Sequence, residues 1–113
     1  MELEMIDLGG ASKIRLKGRL DTPGVGQIET LFTASVVPPG RNVLVDLTQV
    51  TFVSSVGVHL FFATARALGH KNARMVLFGA QPLVKESLNN VRLPDLIPVV
   101  DDEGAALALL QPA

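Results

Sequence analysis

The sequence predicts an α/β fold, a mixed and mostly parallel sheet of four to five strands with about four helices, in a single domain spanning residues 1–113. Three observations carry this. Residues 13–20 alternate strictly, with Ile14, Leu16, Gly18 and Leu20 against Lys13, Arg15, Lys17 and Arg19, which is the period of a strand with one wet face. Two later strands, 42–46 and 73–78, are instead built on unbroken apolar runs, VLV and MVLF, as strands covered on both faces are. Helix-period segments separate the strands after the first two, and that alternation implies parallel strands joined by crossover helices.

The elements follow in order. Residues 2–6 alternate charged and apolar and end at Gly9-Gly10, so the first two strands form a hairpin. Asp21-Thr22-Pro23 opens a helix, with Asp21 or Thr22 as the cap and Pro23 at the first position. Val25, Ile28, Leu31 and Phe32 follow at helical spacing, and Pro38-Pro39-Gly40 closes the segment. The strand 42–46 stops at Asp46. A link over 47–53 is expected, pinned to the core by Val50, Phe52 and Val53.

Ser54 and Ser55 then precede a helix over 55–68. It is apolar on more than one stripe and is expected to be largely covered. After the strand 73–78, a helix spans 81–90 with Leu83, Val84 and Leu88 inward. A short strand covers 96–100, placed at an edge because Pro98 lacks a ladder donor. A closing helix spans 101–110, with Asp102 and Glu103 in the first turn, where the helix dipole favours them.

Composition narrows the function classes. A formal net charge of -1 in 113 residues gives no electrostatic footprint for nucleic acid or anionic membrane. The chain has no cysteine, which removes thiol catalysis and Cys-ligated zinc. No apolar run approaches the roughly 18 residues of a membrane span, so direct membrane insertion is not expected. Residues 1–10 carry acids and no basic region, unlike a secretory signal, and a cytoplasmic location is expected. No phosphate-binding glycine pattern is present, and no cofactor is expected.

The strand, loop and serine-bearing helix start over 42–69 are the stretch where function is expected, because unpaired N–H groups and the helix dipole meet there. Ser54 and Ser55 could be plain caps or regulated hydroxyls. A serine nucleophile needs a base within reach. The two histidines are His59, one turn inside the same helix, and His70 at its far end, about 16 Å further on at 1.5 Å per residue. That spacing gives no base–acid arrangement around Ser55 and no metal-ligand pair. A small hydrolase using Ser55 is thereby disfavoured. Asp46 could be a site acid or a partner for loop amides.

The segment DLTQVTFVSSVG at 46–57 resembles the signature of STAS domains, the fold shared by bacterial anti-sigma factor antagonists and the cytoplasmic tails of sulfate transporters. Asp46, Leu47, Val50, Phe52, Ser55 and Gly57 match in register. GRLDT at 18–22 and LPDLIPVVDDEGAAL at 93–107 resemble two further family segments. The resemblance implies an anti-sigma factor antagonist, not an enzyme. Such a protein binds a serine-kinase anti-sigma factor and frees the sigma factor. It is switched by phosphorylation at the position of Ser55, with Ser54 as second choice, and a serine phosphatase reverses the mark. Asp21, Thr22, Ser54, Val56, Gly57 and Val58 are the expected partner-binding residues, and Asp46 and Thr48 the expected loop supports. Ser54 stands where the family has Asp, and Val56 where it has Ser or Thr. The alternative is a non-phosphorylated accessory STAS subunit of a membrane transport ATPase or another signalling complex.

Overall fold

The computed structural model describes residues 1–110. Among them the order is β1 (Glu2–Asp7), β2 (Ala11–Leu20), α1 (Thr22–Val36), β3 (Asn42–Val53), α2 (Ser55–Gly69), β4 (Met75–Phe78), α3 (Pro82–Asn90), a 3₁₀ turn (Leu93–Asp95), β5 (Val99–Val100) and α4 (Glu103–Leu110). The strands lie in one sheet in the order β1-β2-β3-β4-β5. β1 and β2 are antiparallel and every later pair is parallel.

Because strand order equals chain order, each crossover steps in the same direction. Right-handed connections then put α1, α2 and α3 on one face. Their core holds Ile14, Leu16, Val43, Val45, Phe32, Phe61, Val84 and Leu88. Phe32 and Phe61 meet edge to face with centroids 5.9 Å apart. On the other face α4 covers Leu44, Val76 and Phe78, through Ala106 and its neighbours. Lys13 reaches this face too, pairing with Glu103 and lying over the Phe78 ring. This explains the two patterns in the sequence. Residues 43–45 and 75–78 are covered on both sides, whereas β2 keeps one polar face.

β3 corrects the expected link over 47–53, which is strand throughout. Asp46 opposes Arg15 and Gln49 opposes Lys17, so β3 holds one extra residue there. Val50 opposes Gly18 and Phe52 opposes Arg19, which adds a second. Each bulge resets the alternation. The buried residues therefore fall at Leu47, Val50 and Val53, three apart, a spacing that does not read as a strand. Phe52, expected in the core, is turned to the surface.

Two further corrections concern helix faces. Leu31 and Leu83 are exposed, at 55% and 74%. The covered stripe of α1 is Val25, Ile28, Phe32 and Val36, and that of α3 is Val84 and Leu88. Each outlier sits one residue, about 100°, off its stripe. The expected strand over 96–100 shortens to two residues. The 3₁₀ turn takes up the approach, burying Leu93 and Ile97 and leaving Leu96 outside. β5 is an edge strand, and Pro98 contributes through its carbonyl, which accepts from Leu77 N–H at 2.9 Å. Among the described residues no helix is long and apolar enough to cross a membrane.

Candidate functional site

β2 and β3 run parallel and end together, at Leu20 and Val53. The chain leaves both strand ends into helices, so the starts of α1 and α2 lie side by side at the C-terminal end of the parallel strands. That places Asp21, Thr22, Ser54, Ser55 and Val56 on one shared surface.

The joint is held by one carbonyl. Leu20 C=O accepts the Ser54 N–H at 2.9 Å and the Ser54 hydroxyl at 2.8 Å. Ser54 is the N-cap residue of α2 in an extended conformation, yet its side chain makes no capping bond to that helix. The hydroxyl is committed to tying the two strand ends together. Ser55 is the first helical residue and is exposed. The two serines therefore differ physically: one is structural, the other free to be modified or contacted. Val56 beside it is 38% exposed.

Gly57 and Val58 are buried and offer no side-chain surface. Val58 turns into the core. A Cβ on Gly57 would lie 3.1 Å from Leu20 Cβ and 3.2 Å from its carbonyl oxygen. The covered face of α2 begins at these two residues, because the helix must close on the end of β2 before it can pack on the sheet.

Asp21 caps α1, its Oδ1 accepting from Gly24 N–H at 2.8 Å. The other oxygen accepts from Arg19 Nε at 3.2 Å. The Gly24 amide, with Arg19 beside it, holds the carboxyl below its ordinary range. Thr22 is exposed next to it.

Asp46 and Thr48, the expected loop supports, clamp the first bulge of β3. Asp46 Oδ1 accepts from Thr48 N–H at 2.9 Å and from the Thr48 hydroxyl at 2.6 Å. Arg15 Nε lies 3.4 Å from the other oxygen. Burial pushes the Asp46 carboxyl up, but the bonds from Thr48 and Arg15 outweigh it and the balance is downward. Thr48 also receives the start of α3, its carbonyl accepting from Gln81 Nε2 at 2.9 Å.

Sequence reading missed two features of the site. Arg19 lies over the Phe52 ring at 4.4 Å, a contact within favourable range created by the second bulge. The other is a groove of about 890 Å³ between α1 and α2. It runs from Val56 and His59, beside Ser55, to Val37 and Ala67, with Thr33, Ala34 and Ala63 on its walls. The small residues at 33, 34, 63 and 67 were its only signal. Cross-strand and cross-helix neighbours have no local one. The hydroxyl of Ser55 has no base built around it. His59 is one turn away on the exposed surface, and His70 caps the other end of α2.

A family model described as the STAS domain matches residues 2–106. BtrV of Bordetella bronchiseptica, named as a candidate anti-sigma factor antagonist, is 26% identical over 113 residues, covering 100% of this chain and 97% of the relative. A STAS-domain anti-sigma-factor antagonist structure from Planctomyces limnophilus superposes with a TM-score of 0.86 at 21% identity, covering 96% of this chain and 97% of that one. The antagonist SpoIIAA superposes in its unphosphorylated form with a TM-score of 0.75 at 21% identity, covering 96% of both chains. Its phosphorylated form, from Bacillus, does so at 0.70 and 20%, covering 97% of this chain and 100% of that one.

Proposed function

The chain belongs to the STAS domain family, and from that premise we propose that it is an anti-sigma factor antagonist, a binding module switched at Ser55. Its partner is a serine-kinase anti-sigma factor. Binding releases the sigma factor, and phosphorylation of Ser55 by the kinase ends the association until a serine phosphatase removes the phosphate. The protein works in the cytoplasm and is not itself an enzyme. One STAS domain makes up the chain.

The observation that carries this reading is the division of labour between the two serines. Ser54 spends its hydroxyl on Leu20, which leaves Ser55 exposed at the head of α2 without a base to make it a nucleophile. Similarity to BtrV along the whole chain supports the same reading. A phosphate on Ser55 adds about -1.5 to -2 charges at pH 7. The helix start tolerates them through its dipole and free amides. The effect therefore falls on the partner, which meets charge and bulk on a surface shared with Val56, Asp21 and Thr22. No refolding is needed for such a switch.

The test is to incubate the purified protein with its cognate kinase and ATP, map phosphate by mass spectrometry, and measure binding of both forms to the anti-sigma factor. Phosphate on Ser55 and loss of binding are expected. An unmodified Ser55, or co-purification with a membrane-bound ATPase and full function of Ser55→Asp, would overturn the reading.

A further inference from the structure

We infer that His59 is the residue that receives the phosphate when Ser55 is modified, forming an ion pair across one turn of α2. The inference rests on Ser55 being the modified residue. Ser55 and His59 stand four apart on a regular helix, and residues at that spacing have Cβ atoms about 5–6 Å apart. Helical Cα–Cβ bonds tilt toward the N-terminus, so the His59 Cβ is directed toward the turn that carries Ser55. Both side chains are exposed. Among the described residues neither enters a hydrogen bond or salt bridge, so the imidazole is uncommitted.

The surroundings leave His59 as the group available for the task. On α1, packed beside α2, Glu29 lines the same groove as His59 and Val56. Asp21, at the cap of α1, adds a second carboxylate. Arg19, at the end of β2, is engaged by Asp21 and by the Phe52 ring. On α2 itself Arg66 lies in the last turn. A phosphate at Ser55 therefore enters a neighbourhood with two acids and one cation already in use. An imidazolium one turn away offsets that charge.

The test uses protein with phosphoserine installed at position 55 during translation, so that no kinase is involved. Phosphorus NMR follows its titration in the otherwise unaltered chain, in His59→Gln and in His59→Arg. A neighbouring cation favours the dianion, so the midpoint should rise by roughly 0.3 to 0.7 of a pH unit in His59→Gln. His59→Arg should keep it low. Proton NMR gives an internal control. Phosphorylation should move the ring resonances of His59 and leave those of His70, about 22 Å from Ser55 along the helix, in place. Equal phosphorus midpoints in the unaltered and His59→Gln proteins, or equal movement of both histidines, would overturn the inference. Failure here leaves the kinase assay on Ser55 unaffected, and an unmodified Ser55 in that assay leaves this pairing measurable.

Discussion

The Ser54 hydroxyl and the Ser54 N–H converge on the Leu20 carbonyl, at 2.8 and 2.9 Å, so the ends of β2 and β3 are closed by one side chain. Ser54→Ala removes one of the two bonds and should cost about 1 kcal/mol of stability. Ser55→Ala, at an exposed position, should stay within about 0.5 kcal/mol of the unaltered protein. Urea denaturation of the two variants checks the contrast. Equal losses would show that the two serines are not divided as described.

The first turn of α1 offers a paired test with glycine. A Cβ at Gly24 would lie 1.9 Å from the Arg19 carbonyl oxygen, a backbone atom that cannot swing away, while one at Gly26 meets nothing within 4 Å. Gly24→Ala should destabilise by about 2 kcal/mol or more. Gly26→Ala should stabilise by up to about 1 kcal/mol, because alanine is the better helix former. Thermal denaturation should move the two variants in opposite directions.

Asp46 sets an acid limit. Its carboxyl, like those of Asp7 and Asp21, is held below the ordinary 3.8 in the folded protein. A depressed folded value means the unfolded chain takes up protons first on acidification. The stabilisation is therefore full above about pH 4 and is lost as pH falls through the folded value. Stability measured across this range should fall less steeply in Asp46→Asn. Asp46→Ala, which removes both Thr48 bonds to a charged acceptor, should cost about 2 kcal/mol at neutral pH. An unchanged acid slope in Asp46→Asn would remove Asp46 from this role.

Binding and stability should separate at Val56. Val56→Arg alters the exposed surface beside Ser55 and should weaken association with the anti-sigma factor by about tenfold or more. Ser55→Asp should act in the same direction. Calorimetric titration measures the affinity, and urea midpoints within about 0.5 kcal/mol of the unaltered protein would show the fold intact. Undiminished binding by both variants would move the interface elsewhere.

Where local chemistry and tertiary packing agree, the structure was legible in advance. Pro23 after Asp21 marks the start of α1, and the apolar runs of β3 and β4 mark the sheet centre. The bulges of β3 hid half of that strand, because two inserted residues convert a period of two into a spacing of three. Leu31 and Leu83 misled for a related reason. An apolar residue one position off a covered stripe looks like part of it until the neighbouring element is known. At the site, the helix start and both serines could be found from residue type and spacing. The roles of Gly57 and Val58 depended on how closely α2 approaches Leu20, which no local pattern records.

The sequence by itself determined the α/β class, the hairpin followed by parallel strands, the serine-bearing helix start and the absence of thiol chemistry. These depend on residue type and on period along the chain. The tertiary structure alone decided that Ser54 is tied to Leu20 and Ser55 is free, that Asp46 and Thr48 clamp a bulge, and that a groove opens between α1 and α2. The first and last of these join residues far apart in sequence, such as Leu20 and Ser54, and the clamp sits where β3 slips one residue against β2. Such contacts are set by strand register and helix approach, which only the packed sheet defines.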